Sequence, residues 1–397
     1  MLLSELLRNN VFTDGTVLFM LAFLIYPFVQ ALIIILFFVL PLKKLSVKTR
    51  ILLATVFGLG SLKIYIYLFT GGTLMDPKLT RYPAIISDCI YFSSIFLCIQ
   101  TLVRMLINGF FKLVRQNIRR FLIPSFSTRY AVIMLVISCF LGITGVINGF
   151  APPEDITYSL KLDRLPEKAE GFKIIHLADL HISAPATVSE IEDIVRRANI
   201  EDPDLIVITG DFIDGDIASL DHMTRILFKL KSRYGVYAVS GNHEFYSGYT
   251  EWLHYFSKGG ISFLENSGTV IRDSDGTALL NLCGLIDLSA PRYGFASPDI
   301  REALKNTNPL VPTVFLTHQP KIAHELKEIS ALTLAGHTHG GLMPGLKQIV
   351  AAANGGLVSG YYALDKEQVI VTNGTRIWAG VPLRLNTPSQ LVKIVLK

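Results

Sequence analysis

The hydrophobic rhythm of the chain changes near residue 150. Before it, apolar positions form long blocks; after it, they form short runs between polar turns. Four blocks, at 16–41, 51–70, 83–107 and 131–150, are long enough as helices to cross ~30 Å of hydrocarbon. They predict a four-helix transmembrane domain over 1–150. The first block starts too deep and runs too long for a cleaved signal peptide. The segment "APPEDITYSLKLDRLPEKAEG", residues 151–171, is polar and proline-containing, a linker or an edge strand. Over 172–397, β-branched runs alternate with helical patterns; the runs are 172–178, 205–209, 236–240, 313–317 and 331–335. Unbroken apolar runs of this length suit strands covered on both faces. In "TVSEIEDIVRRANIED", Thr187 and Glu190 have capping-box spacing ahead of Ile191, Ile194 and Val195, which marks a helix start. About 230 residues suit one α/β sandwich.

Charge orients the membrane part. Lys43, Lys44, Lys48 and Arg50 separate the first two blocks, and Lys112, Arg115, Arg119, Arg120 and Arg129 separate the last two. The loop at 71–82 has only Lys78 and Arg81, beside Asp76. Basic loops stay in the cytoplasm. Both termini, and everything after residue 150, are therefore expected outside, in a multi-pass protein of the cell membrane. Phe110, Phe111, Val114, Ile118, Phe121 and Leu122 fall at helical spacing among basic residues. That reads as a basic helix on anionic headgroups or as an extension of the third span. Lys63 and Asp88 are charges inside blocks, where charge is costly. Both sit roughly 10 Å in from the outer ends at 1.5 Å per residue. Pairing is one reading; snorkelling of Lys63 to the interface is the other.

The net charge is uneven: residues 1–150 hold 14 Lys+Arg against 4 Asp+Glu, and 151–397 hold 23 against 28. A back half with surplus negative charge speaks against nucleic acid as a partner. Cys89, Cys98, Cys139 and Cys283 show no CxxC or zinc-ribbon spacing, so neither a disulfide framework nor a thiolate metal site is indicated.

The chemistry follows the short runs. They lead in turn into "DLH", "GD", "GNHE", His318 and "GHTHGG". In open α/β sheets, ligands bind at the carboxyl ends of strands. Five of the nine histidines collect there: His181, His243, His318, His337 and His339. With Asp179, Asp211 and Asn242 they offer carboxylate, amide oxygen and imidazole, a donor mixture for Mn²⁺, Fe or Zn²⁺. These eight candidates are too many for one tetrahedral ion. They suit two ions sharing a carboxylate, the arrangement that clamps a phosphoryl group. Read as extended backbone, His337 and His339 would point to one side and reach one ion each. Asp179 and His181, spaced alike, would serve a single ion.

In order and spacing, "DLH", "GDFIDG", "GNHE", His318 after "TVFLT", and "GHTHGG" resemble the calcineurin-like metallophosphoesterase superfamily over residues 172–397. The membrane half followed by this domain is similar to membrane-bound bacterial members and to animal transmembrane proteins carrying a metallophosphoesterase domain. The closing "VTNGTRIWAGVPLRLNTPSQLVKIVLK" resembles the tail of the exported bacterial subgroup. The resemblance implies a four-layer α/β/β/α sandwich and two divalent metal ions, Mn²⁺ foremost, with Fe, Zn²⁺ or Co²⁺ as alternatives. It implies Asp179, His181 and His339 on one ion, Asn242, His318 and His337 on the other, and Asp211 bridging. His243 would bind no metal; it would contact the phosphate and stabilise or protonate the leaving oxygen. The nucleophile would be a hydroxide generated at neutral pH. Arg384 is a candidate phosphate contact, with a surface ion pair as the alternative. The protein Ser/Thr phosphatase branch carries arginines after "GDxxD" and before "GNHE"; Gly215 and Ser240 stand there, which favours a phosphodiesterase-like activity.

The sequence thus leads to a membrane-anchored, dinuclear-metal phosphoesterase acting on a phosphodiester or pyrophosphate, such as a lipid headgroup or an envelope precursor. The lipid bilayer is its expected partner, and no protein partner is evident. A soluble nucleotide-type substrate, with the membrane part only a tether, and a non-catalytic metal-binding sensor or scaffold are the alternatives. Asp214 and Asp287 read as site residues or as solvated loop carboxylates. His176 reads as a core histidine, and "GLMPGLKQIVAAA" as a lipid-facing segment or a core strand.

Overall fold

The computed structural model describes residues 14–74, 76–113 and 127–397. The chain divides into two compact units, one within the first 147 residues and one from Asn148 to Lys397.

The first unit is helical. Helix α1 (Asp14–Ile33) runs on as a π-helix over Ile34–Val39, followed by α2 (Val47–Gly60), α3 (Lys63–Phe69), α4 (Arg81–Leu113) and α5 (Thr128–Gly149). Ser46 caps α2, its Oγ accepting from the Thr49 amide at 3.1 Å. Among the described residues, α4 and α5 are long and apolar enough to cross a membrane. Helices α2 and α3 make a third such element only if taken together across a 65° bend. The apolar stretch Leu24–Val39 is shorter than a crossing helix. At the bend, Ser61 Oγ donates to the Phe57 carbonyl at 2.8 Å, a back-bond of the kind that accompanies bent helices. Just past the bend, Lys63 forms an ion pair with Asp88 of α4, both side chains fully buried. Tyr67 donates to the same carboxylate at 3.3 Å. Lys63 therefore pairs rather than snorkels. Of the proposed basic amphipathic stretch, Val114, Ile118, Phe121 and Leu122 lie outside the described residues.

The second unit is built on two six-stranded sheets. One has the order β1 (Glu154–Leu160), β12 (Gln390–Leu396), β2 (Lys173–Leu177), β3 (Leu205–Thr209), β4 (Val236–Val239), β5 (Ile261–Phe263). The other runs β10 (Gly360–Leu364), β11 (Glu367–Val371), β9 (Leu332–Ala335), β8 (Thr313–Leu316), β7 (Ala278–Gly284), β6 (Ser267–Arg272). Pairing is parallel from β2 to β5 and from β7 through β8 and β9 to β11. The carboxyl ends of the parallel strands thus line up along one edge of each sheet. The polar segment after residue 150 contributes β1, an edge strand parallel to β12.

Alternating side chains of each strand go to opposite faces, and both faces find apolar partners. Ile174, Leu205, Val207 and Val239 meet Leu280, Leu282, Val314, Leu316, Leu332 and Leu334 in a core between the sheets. Their neighbours Ile175, Leu177, Ile206, Ile208 and Ala238 pack under Ile191, Ile194, Val195, Trp252 and Phe256, all from helices α6 (Val188–Ile200) and α7 (Tyr249–Lys258). On the far sheet, Cys283 and Phe315 pack with Ala303, Ile322 and Leu326. This two-sided burial is why the strands read as unbroken apolar runs. Helix α6 begins with the capping box read from the sequence: Glu190 N donates to Thr187 Oγ1 at 3.3 Å, and Thr187 N to Glu190 Oε2 at 2.9 Å.

Candidate metal centre

Each strand that the sequence singles out runs into a loop that carries polar residues, and the loops interlock across the two sheets. Asp179 N donates to Gly210 O at 3.1 Å and His181 N to Asp211 O at 3.0 Å, joining the loops after β2 and β3. His337 N, beyond β9, donates to Asp179 Oδ1 at 3.0 Å, joining the two sheets. The approach is close enough to exclude side chains. A Cβ on Gly241 would lie 2.2 Å from Asp211 Oδ1, and one on Gly336 would lie 2.5 Å from Asp179 Oδ2.

The backbone does not follow the extended path assumed for the paired residues. Asp179, His181, Asp211, His337 and His339 all have positive φ, between 41° and 72°, where β-carbon-bearing residues are uncommon. His337 and His339 converge because the chain turns left-handed after β9, not because a strand alternates. Five strained residues in one place mark a site that the surrounding fold holds against a local cost of order 1–3 kcal/mol each.

The side chains meet in two separate groups and a third that overlaps the first. Ligand atoms of Asp179, His181 and His339 lie within 4.8 Å of one another, and so do those of Asp211, His318 and His337; His181 also meets Asp214 and His243 within the same distance. His181 Nε2 is 3.1 Å from His339 Nε2. In the other group, His318 Nε2 is 3.1 Å from Asn242 Oδ1 and 3.2 Å from His337 Nδ1. Asp211 Oδ2 stands between the groups, 3.6 Å from His181 Nε2 and 3.1 Å from His318 Nε2. Two tautomers follow from the neighbours. His181 Nδ1 faces Asp214 Oδ2 at 3.1 Å and His318 Nδ1 faces the Thr209 carbonyl at 2.8 Å. Each Nδ1 must donate, so in the neutral ring each Nε2 lone pair points inward.

This donor set fits divalent cations. Nitrogen and oxygen lone pairs converge without enough protons to separate them, and all of these residues are buried or nearly so. Against burial, which alone would lower it, Asp211 and Asp179 hold the His318 imidazole well above the ordinary histidine range. Burial, helped by Asp211, holds the Asp179 carboxyl up at about 6. Burial drives His337 down to about 3, helped by its neighbour His318. The opposite occurs at His243, where burial alone would depress the ring but Asp211 and Asp214 raise it to about 9. His243 Nδ1 donates to Asp214 Oδ1 at 2.5 Å, and its Nε2 lies 4.0 Å from Asp211 Oδ2. His243 meets His181 and Asp214 in the overlapping group, beside the other two.

Three residues stand differently from the sequence reading. Asp214 is not a solvated turn carboxylate: it is buried and accepts from both His181 and His243. Asp287 is buried too, gripped by Gln319 Nε2 at 3.0 and 3.1 Å and by Ser289 N at 2.7 Å. Arg384 is 0 % exposed and makes neither a surface ion pair nor an open phosphate contact. Its guanidinium donates to the carbonyls of His339, Asn373, Arg376 and Thr387, fixing the turn that carries His339. His176 is a core histidine, 2.8 Å from Thr209 Oγ1. Glu244, inside the quoted "GNHE", was given no role by the sequence. Its carboxylate accepts from the amides of Asp211, Phe212 and Gly241, tying the loop after β3 to the loop after β4. Its place three residues after Gly241, the capping-box spacing of a helix start, was the available signal.

A cleft of roughly 210 Å³ opens beside Asn242 and His337; its other walls are Tyr246, Leu288, Ser289, Arg292, Gln319 and Lys321.

Residues 172–341 match the family model described as calcineurin-like phosphoesterase. Over 282 residues the chain is 31% identical to a protein of Danio rerio named transmembrane protein with metallophosphoesterase domain, covering 69% of this chain and 64% of that one. An uncharacterized metallophosphoesterase of Helicobacter pylori is 33% identical, over 64% of this chain and 66% of its own length. One of Aquifex aeolicus is 30% identical, over 60% of this chain and 90% of its own. The matched part thus spans just under two thirds of the first two relatives.

Proposed function

The chain belongs to the calcineurin-like phosphoesterase family, and from that premise we propose that it is a membrane-anchored, metal-dependent phosphoesterase that hydrolyses a phosphodiester or pyrophosphate. In this reading Asp179, His181 and His339 hold one divalent ion, Asn242, His318 and His337 hold a second, and Asp211 serves both. The observation that carries it is Asp211 Oδ2 lying between His181 Nε2 and His318 Nε2. The ions, when bound, supply Lewis acidity to the phosphoryl oxygens and make water nucleophilic at neutral pH. Oxygen and imidazole donors without thiolate favour Mn²⁺, with Fe, Zn²⁺ or Co²⁺ as alternatives.

The chain's own groups do the rest. His243 holds a proton on Nε2 at the edge of the cluster and gives it to the leaving oxygen. Asp214 orients that ring and stabilises its charged form. Glu244 and Arg384 hold the loops that carry Asp211 and His339.

The two sheets with helices on their outer faces support a four-layer sandwich over 172–397, preceded by the 151–171 segment. The helical unit over 1–150 serves as a four-span anchor, with the basic loops in the cytoplasm and the catalytic domain outside. A substrate at the membrane, such as a lipid-linked phosphodiester, is supported by the helix Leu346–Ala353. This helix follows the His339 turn and buries none of its eight residues although most are apolar. Purified full-length protein in detergent, stripped with chelator and reloaded with Mn²⁺, should cleave an aryl phosphodiester faster than an aryl monoester. Asp211→Asn and His337→Ala should each lose bound metal and turnover together. Full activity in either variant would rule out the shared-carboxylate assignment.

A further inference from the structure

Two cations stand on the wall of the cleft beside the metal cluster, and the chemistry described so far uses neither. Arg292 lies in the 3₁₀ turn Ala290–Tyr293, beyond the end of β7; Lys321 lies in the turn Pro320–Ile322, beyond β8. Among the described residues, neither side chain has a recorded hydrogen bond or ion pair. Both line the same cleft as Asn242 and His337. Their loops are locked to each other from beneath: the Gln319 amide donates to both oxygens of buried Asp287, at 3.0 and 3.1 Å, and to Ser289 Oγ at 3.3 Å. The positive φ of Gly294 closes the Arg292 turn. Both side chains are exposed, but they rise from turns clamped together by a buried carboxylate–amide link.

The geometry points to a second anion subsite: Arg292 and Lys321 hold a charged group next to the scissile phosphoryl. The substrate then carries two neighbouring anions, as a pyrophosphate diester does. This rests on the phosphoesterase reading and narrows its substrate. A monoanionic diester fills only the space at the metal cluster. A pyrophosphate diester extends along the cleft from Asn242 and His337 and places its second phosphate between the guanidinium and the ammonium. Arg and Lys serve such a group differently, Arg by a planar two-point contact and Lys as a point charge. Tyr246 and Leu288 add an apolar wall, which suits the organic part of such a substrate.

The test compares kcat/KM on a dinucleoside pyrophosphate and on bis(4-nitrophenyl) phosphate, using Mn²⁺-loaded full-length protein, Arg292→Gln, Lys321→Gln and the conservative Arg292→Lys. A charge-assisted contact is worth roughly a tenfold change in each Gln variant. The wild type should prefer the pyrophosphate. Each Gln variant should lose that preference about tenfold, through KM, with Arg292→Lys recovering part of it. Raising the salt should erode the preference, because exposed charges are screened over ~8 Å at physiological strength. Equal losses on both substrates, or a wild type without preference, would overturn the subsite. If the wild type cleaves neither compound, the phosphoesterase reading fails on its own. Calorimetry with inorganic pyrophosphate then still decides the subsite, since equal affinity in wild type and double variant Arg292→Gln/Lys321→Gln overturns it.

Discussion

At the scale of single residues, Asp214 decides how two imidazoles present themselves. It is buried, and its two oxygens accept hydrogen bonds from His181 and from His243. Those two histidines hold its carboxyl below the ordinary value despite burial, which alone would raise it. Replacing it with asparagine removes a charge and puts an NH2 donor in place of one of the two oxygens that accept from the imidazoles. Groups that orient ligands from behind typically cost 10–100-fold in metal affinity or activity when removed. Asp214→Asn should therefore lower kcat by roughly that factor while the folded protein retains most of its metal at saturating Mn²⁺. Added to His243→Ala, it should cost little more, because the two act as one unit. A double variant whose losses simply multiply would separate them. The ligand candidates were legible because they directly follow apolar runs. Asp214 and Arg384 were not, because their roles depend on what lies behind the site: a second histidine in one case, four carbonyls in the other. Nothing in a linear sequence tells a buried acceptor from a solvated one three residues after Asp211.

At the scale of elements, the sequence showed the parallel strands better than the rest. β2, β3, β4, β8 and β9 are covered on both faces, so their composition alone announces them. β6 and β10, at the sheet edges, are only half-buried and carry polar residues, so no unbroken run betrays them. The membrane helices show the reverse failing. The block at 51–70 reads as one span, yet the chain bends by 65° between α2 and α3. Hydropathy counts apolar residues and cannot see a serine bonding back to its own helix. The bend gives Lys63 a place opposite Asp88, and removing one member of such a pair strands the other in apolar surroundings. Lys63→Met or Asp88→Leu alone should destabilise the helical unit by about 3–5 kcal/mol, seen as lost expression and a lower melting temperature in detergent. The double variant should recover most of the loss, since two apolar side chains can fill the space. A double variant as unstable as either single one would mean that the pair is not coupled.

For the whole molecule, the two halves carry opposite charge, and the distribution of that charge makes a claim about sidedness. The front half holds ten surplus positive charges (14 against 4) and the back half five surplus negative ones (23 against 28). The positive charge is concentrated in two short loops, and short basic loops resist translocation. If those loops stay in the cytoplasm, the α/β unit is carried to the other side. Cysteine labelling tests this cleanly, because all four native cysteines are buried or half-buried. A cysteine placed at exposed Lys231 in the α/β unit should react with a membrane-impermeant maleimide in intact cells. One placed at exposed Lys44, in the first basic loop, should react only after permeabilisation. Replacing Lys43, Lys44, Lys48 and Arg50 with neutral residues should blur the difference, since the charge is what holds the loop back. The reverse pattern, Lys44→Cys labelled in intact cells and Lys231→Cys protected, would place the metal centre in the cytoplasm and remove an envelope precursor from the candidate substrates.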